Sequence, residues 1–262
     1  MRKSIGALRS DIAYSLPDRI ILKGYNLCDD VIGRQNLGDV AFLMVKDRLP
    51  NEDESAMFNA LLVTLVEHGI TPSALATRLT YLGAPESLQG AVAAGLLGLG
   101  SRFVGTIEDS ARMLQEALKE GREDTDLDVV ARELIDRYRQ KHSPIPGLGH
   151  PIHKPTDPRT ERLFLIAKER GFTGRYIELM QIVSKHAETA YRKQLPINAT
   201  GAIGSIASEM GIPWQVSRGI GLISRSIGLI GHILEEMRLP MAQELWMRVE
   251  DEASSHVRTE AK

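Results

Sequence analysis

The residues best suited to chemistry stand in the most irregular stretch of the chain. Ser143–Arg159, SPIPGLGHPIHKPTDPR, holds five prolines and two glycines together with His150, His153, Lys154 and Arg159. Proline removes a backbone donor and clashes with the preceding turn, so this stretch cannot be one continuous helix. Imidazole exchanges a proton near neutral pH, and a guanidinium offers permanent, bidentate positive charge. Gly149, directly before His150, leaves out a side chain and lets a ligand approach the backbone closely. Such a loop could move a proton beside a bound anion. An interdomain linker is the alternative reading, although linkers are more often rich in Ser, Glu or Lys and lack histidine.

His68 stands elsewhere, just before Gly69, where the helical pattern NEDESAMFNALLVTLVEHG stops. A helix C-terminus favours a protonated imidazolium, which would act either as a plain cap or as a cation facing a ketone oxygen or alkoxide. A metal shared by His68 and His150 is not expected, because no carboxylate or thiolate stands at a recognisable ligand spacing. His142, His153, His186, His232 and His256 are expected to serve packing or solvation. Cys28 is the only cysteine, which excludes an internal disulfide and a Cys-type zinc or iron–sulfur site.

The elements that must position these groups are predicted to be helices. In the pattern before Gly69, Met57, Leu61, Leu62, Leu65 and Val66 recur at helical spacing, and Glu52, Asp53 and Glu54 suit its N-terminus. Thr71-Pro72-Ser73 reads as a cap and first turn opening a helix through Leu82. Further helical patterns cover Val40–Lys46, Glu86–Leu99, Ile107–Lys119, Asp126–Gln140, Pro158–Glu169, Arg175–Lys193, Gly201–Met210, Pro213–Met237 and Met241–Ser254. Only DRIILKGY near the N-terminus is strand-like, so the fold class is all-α. A second break, QLPINATG (Gln194–Gly201), interrupts the later helices.

The 262 residues, 43% hydrophobic and 25% charged, are ample for a core of one or two domains. Thirty-two Lys plus Arg against thirty-four Asp plus Glu leave a net charge of −2, with no basic field to hold nucleic acid. No uninterrupted apolar run reaches the roughly eighteen residues of a membrane span, and the charged N-terminus lacks a signal-peptide pattern. A cytoplasmic location is expected.

With the loop in view, the chain resembles the citrate synthase superfamily. Gly147-Leu148-Gly149-His150 followed by Asp157-Pro158-Arg159 is similar to that family's histidine loop. LVEHGITPSA resembles its early histidine segment and places His68 at the position that contacts the oxo-acid. GLISRSIGLIGHILEE resembles the late helix whose arginine, here Arg225, binds a substrate carboxylate, and KGYNLCDDVIG and LGDVAFLMVKDRLPNEDE resemble the N-terminal portion. The length is similar to the compact citryl-CoA lyases and to the lyase module of ATP-citrate lyase.

Two departures qualify what the resemblance implies. Where citrate synthases carry an enolate-binding histidine, GLGSRFVG places Phe103, a feature shared with the lyase side of the family. Where the family keeps a catalytic aspartate in an Asn-x-Asp motif, this chain reads Asn198-Ala199-Thr200-Gly201. Thr200 cannot act as a general base, although its hydroxyl could donate to an enolate or hold a water. The resemblance implies a helical citrate synthase-like fold, with a large domain over roughly 1–140 and 200–262 and a small one over 141–199. It implies His150 as an acid–base group, His68 and Thr200 as further catalytic positions, and Arg159 and Arg225 as carboxylate clamps, with Phe103 and Asn198 at the substrate. A surface or interface ion pair is the alternative for each arginine. Coenzyme A would meet Gly149, Lys154 and Arg102, with Lys141 nearby, as a thioester substrate rather than a tightly held cofactor. A homodimer or larger assembly is implied. The expected activity is citryl-CoA cleavage; a condensing citrate synthase and a CoA-ester-binding protein without turnover are the alternatives.

Overall fold

The computed structural model describes residues 8–119, 121, 122 and 124–260. It is built from eleven α-helices and a small sheet among these residues. The sheet is a three-stranded antiparallel meander of β1 (Ala13–Leu16), β2 (Arg19–Leu22) and β3 (Tyr25–Asn26), with Tyr14 opposite Ile21 and Leu22 opposite Tyr25. The sequence signal covered β2 and the start of β3 and missed β1. All four β1 residues are exposed, so no in–out alternation marks that strand.

The helices are α1 (Leu37–Lys46), α2 (Glu52–Thr64), α3 (Pro72–Gly83), α4 (Leu88–Leu97), α5 (Gly105–Ala117) and α6 (Leu127–Gln140). After the proline-rich loop come α7 (Pro158–Glu169), α8 (Arg175–Tyr191), α9 (Ala199–Glu209), α10 (Trp214–Arg238) and α11 (Ala242–Glu260). π-Helical turns at Leu27–Val31 and Gly100–Val104 complete the path. The starts are set by side-chain caps. Asn36 and Asn51 each open a reciprocal capping box, with Asp39 and Glu54 respectively. Thr71 caps α3 with Pro72 in its first turn.

Two apolar clusters hold the helices together. One joins Phe42 of α1, Phe58 and Leu61 of α2, Leu163 of α7, Ile203 and Ile206 of α9 and Ile220 of α10. Phe42 and Phe58 meet edge to face, 5.5 Å between centroids, a pairing worth about 0.5–1.5 kcal/mol beyond area burial. The other joins Met113 and Leu114 of α5, Leu134 and Ile135 of α6, and Leu179, Met180 and Val183 of α8. Ile197 packs against both. The segment leading into α9 therefore lies where the clusters meet, and α9 is buried continuously from Gly201 to Ser208.

One helix boundary differs from expectation in a way that matters. The apolar pattern predicts a helix up to the residue before Gly69, but α2 ends at Thr64 and Leu65 closes it with N–H bonds to Leu62 and Val63. Leu65 is apolar because it packs into the core after the helix has ended, and periodicity alone cannot separate the two cases. His68 thus stands in a connecting segment, off the end of the helix dipole.

Candidate functional site

The proline-rich loop is pinned to the start of α9 from several sides. Gly149 N donates to Pro196 O at 2.7 Å, and Asn198 N donates to Gly147 O at 3.0 Å. The Asn198 side chain caps α9 through Gly201 N and donates its amide to Gly149 O at 2.8 Å. Gly147 and Gly149 take φ of +82° and +80°, the left-handed region that disfavours side chains. At Gly147 space is decisive as well: a Cβ there would lie 2.6 Å from Gly201 Cα. Small residues on both sides thus let the loop lie directly on the helix.

This pinning presents His150. Its Nδ1 accepts from the backbone N–H of Ile152 (3.1 Å) and of His153 (3.0 Å). In a neutral imidazole, one nitrogen that accepts leaves the proton on the other, so Nε2 is a donor. Burial, followed by the nearby His153, holds the His150 pKa below the usual imidazole value, which favours that neutral form. With these bonds in place neither nitrogen presents a free lone pair, so the loop offers His150 to the site as a hydrogen-bond donor.

Arg159 reaches the same place, its Nη2 lying 3.5 Å from His150 Nε2. Asp157 orients it. Fully buried, Asp157 accepts from Arg159 N and Nε at 3.0 Å each, from Nη2 at 2.8 Å, and from Ala199 N at 3.1 Å. Burial would raise this carboxyl, but the guanidinium and the backbone donors outweigh it and hold the carboxyl below its ordinary range.

His68 and His153 complete a cluster of three imidazoles. His150 and His153 stack at 4.4 Å between ring centroids, and His68 lies about 6 Å from each, at 6.1 and 6.0 Å. Burial lowers the His68 pKa, and the Arg159, His153 and Arg225 charges lower it further. Burial and these neighbouring charges thus oppose the protonation that a helix dipole would favour at His68. Ligand atoms of the three lie within 4.8 Å of one another, close enough to suit a metal ion. The donor set argues otherwise: His150 has no free lone pair, and two guanidiniums stand beside the cluster. The arrangement suits an anion.

Arg225 of α10 is the second guanidinium. It is 7% exposed, and its Nε and Nη1 are buried without a hydrogen-bond partner. Burial, the largest influence, lowers its pKa, and Glu67, 3.7 Å away, works in the opposite sense. Unpaired buried guanidinium donors are costly and call for an anionic partner. Glu67 is itself held by His68 N at 2.8 Å and lies 3.0 Å from His232 Nε2. Although burial pushes its carboxyl up, those contacts and the Arg225 charge leave it below the ordinary range. The Nδ1 of His232 faces Arg78, at 3.1 Å from Nε and 3.0 Å from Nη2. Arg78, 1% exposed, also pairs with Glu236 at 2.7 Å and with Glu235.

Among the remaining expected positions, Thr200 donates its hydroxyl to Asn198 Oδ1 at 2.7 Å, so both belong to the loop–helix junction. Phe103 and Arg102 lie exposed on the Gly100–Val104 turn against α5 and α10, and form no hydrogen bond or ring contact with the histidines among the described residues. Lys154 is exposed on the histidine loop, and Lys141 is exposed at the end of α6. His142 and His256 are exposed, and His186 pairs with Asp128 at 2.5 Å, in keeping with solvation. Glu67 is the site member that the sequence did not mark, and His153 and His232, expected to serve packing or solvation, stand within or beside the cluster. Asp157, read only as part of the Asp157-Pro158-Arg159 motif, also carries a local signal as a cap before a first-turn proline.

The family model described as citrate synthase, C-terminal domain, matches residues 34–247. The chain belongs to the citrate synthase family. Within that family it is similar to the solved citryl-CoA lyase of Hydrogenobacter thermophilus, at 35% identity over 88% of each chain and a TM-score of 0.80. It is also similar to the ATP citrate lyase of Methanothrix soehngenii solved with citrate and coenzyme A, at 25% identity and a TM-score of 0.73, over 91% of this chain and 40% of that one. A curated relative, a probable ATP-citrate synthase of Dictyostelium discoideum, is 28% identical over 84% of this chain and 37% of its own length. The chain therefore spans little more than a third of that relative. The expected all-helical citrate synthase-like fold and the resemblance to the lyase side are both met by these likenesses.

Proposed function

We propose that this chain is a citryl-CoA lyase-type enzyme that cleaves citryl-CoA, or a related 3-hydroxyacyl-CoA, to acetyl-CoA and an oxo-acid such as oxaloacetate. The observation that carries the reading is Arg225, a buried guanidinium whose Nε and Nη1 make no hydrogen bond and whose charge, like that of Arg159, acts on His68. Carboxylates of the citryl group would pair with the two arginines, as bidentate recognition favours. His150 Nε2–H would then donate to the hydroxyl oxygen and to the carbonyl oxygen it becomes. A CoA phosphate is assigned to Lys154, a reading supported by its exposure on the same loop. Coenzyme A enters as thioester substrate and product.

The reading is tested by incubating the full chain with (3S)-citryl-CoA and following oxaloacetate release. Steady turnover supports the lyase. Tight binding with no product favours a CoA-ester-binding protein, a reading that draws on the absence of a carboxylate at Thr200. Failure both to bind and to cleave would reject both.

Arg225→Lys is expected to weaken citrate or citryl-CoA binding by about 1.5–3 kcal/mol, the worth of one charged hydrogen-bonded contact, while the helical circular-dichroism signal is unchanged. Calorimetric titration reads the difference, and an unchanged Kd in a folded variant would remove Arg225 from the site.

We also propose that the chain forms a homodimer or a larger assembly of its own copies. Ile227, Ile230, Leu234 and Met237 form a stripe on α10, each about half exposed, with Trp246 and Val249 similarly exposed on α11. Apolar stripes of this kind mark protein contact surfaces. The division into parts spanning 1–140 with 200–262 and 141–199 is likewise a proposal, and that boundary passes through the second apolar cluster.

A further inference from the structure

Cleavage of a 3-hydroxyacyl-CoA needs a group that takes the hydroxyl proton and then gives one to the enolate carbon. Thr200, a neutral hydroxyl already donating to Asn198, is not that group. We propose that His153 is the proton-transfer base of this site and does the work of the carboxylate that position 200 lacks. The proposal rests on the lyase reading above.

The neighbouring candidates are all committed. Both oxygens of Asp157 are taken by Arg159 and by the Ala199 N–H. Glu67 holds the His68 N–H and faces His232 and Arg225. His150 has its accepting nitrogen filled by two backbone donors. His68 faces the Arg159 and Arg225 charges, which oppose a proton there. The His153 ring nitrogens, by contrast, take no hydrogen bond among the described residues, and they lie within 4.8 Å of ligand atoms on the other two histidines.

His153 is also well positioned. Its backbone N–H is the 3.0 Å donor to His150 Nδ1, and its ring stacks on His150 with planes 28° apart. One contact thus sets the donor direction of His150 and the place of His153. The groups that face the pair are His68 from the segment after α2, Asp157 and Arg159 at the start of α7, and, through His68, Arg225 of α10 and Glu67.

The step is balanced with one base. His153 accepts the C3 hydroxyl proton, the oxygen forms the oxo-acid carbonyl, and the carbon–carbon bond breaks with its electron pair passing to the thioester enolate. The imidazolium then returns the proton to the enolate carbon, and His153 ends neutral.

The test compares wild type, His153→Gln and His153→Gln/Thr200→Asp on (3S)-citryl-CoA across pH. A base must be neutral to act, so wild-type kcat/KM should fall toward acid pH. His153→Gln should lose about 10²–10⁴-fold in kcat with KM little changed, and the acid limb should vanish. The added carboxylate of the double variant should recover at least about tenfold of that loss, a small part of what a general base supplies. A His153→Gln protein that keeps wild-type kcat, keeps the acid limb, or gains nothing from Thr200→Asp overturns the assignment. Those outcomes leave the lyase reading standing, whereas a wild-type protein that binds (3S)-citryl-CoA and never cleaves it overturns both.

Discussion

His150→Asn is expected to cleave citryl-CoA about 10²–10³-fold more slowly than wild type, the usual cost of losing one preorganised donor to a developing oxyanion. Asparagine is the informative replacement. Its Oδ1 can accept from N–H groups two and three residues on, as the His150 Nδ1 does, so the loop keeps its turn. Its shorter side chain does not reach the place of Nε2, so only the donor beside Arg159 is lost. Because two backbone N–H groups hold His150 in one tautomer and burial opposes its protonation, the shape of the pH–rate profile should stay that of wild type. Rate profiles from about pH 5 to 9, spanning the range in which imidazoles titrate, separate the two roles. A lost acid limb would make His150 the proton carrier after all.

Arg78→Met is expected to lower stability by about 3–5 kcal/mol, the range for a buried ionic cluster that loses one partner. Methionine fills similar length without charge, so the cost comes from stranded polar groups more than from a cavity. Arg78 is 1% exposed, and its removal leaves the 4%-exposed Glu236 side chain and the Nδ1 of His232 without their donor. Glu236 also accepts from Met241 N and Ala242 N, so α11 should fray at its start. The same change frees the His232 ring, whose Nε2 faces Glu67 beside Arg225, and citrate affinity should fall with stability. Urea unfolding and calorimetry measure the two effects. Adding Glu236→Gln should recover part of the stability, since the remaining partner is then neutral. A loss below about 1 kcal/mol, the worth of an exposed pair, would mean that water reaches the cluster.

Much of the helical frame was legible because apolar spacing and cap chemistry agree. Thr71-Pro72 before α3 and Asp157-Pro158 before α7 are starts that depend on a few neighbouring residues. Arg159, His150 and the glycines could be singled out for the same reason: the loop's composition is local information. The fate of His68 was not, since Leu65 and Val66 continue the apolar pattern after the backbone has left the helix. Nor was the state of His150, which depends on two backbone N–H groups whose direction exists only once the loop is folded. Glu67 and His232 are far apart in sequence, and only the packing of α10 against the segment after α2 makes them neighbours. Phe103, assigned to the substrate by resemblance, shows that a motif places a residue in order along the chain and leaves its contacts unstated.

The junction between Gly147 and Gly201 has a consequence for how this loop can vary between related proteins. His150 is located by the α9 helix beneath it through Gly149, Asn198 and the glycine-to-glycine contact, and by its own bonds to Ile152 and His153. Asp157 fastens the far end to Ala199. Between those two anchorages, Lys154, Pro155 and Thr156 are exposed. Insertions and deletions in that short span can change what meets the outer part of a substrate without displacing the imidazoles, whereas one added residue between 147 and 153 would shift His150 and His153 against His68. Diversity in loop length should therefore concentrate at 154–156, making that span the natural place to graft a new specificity.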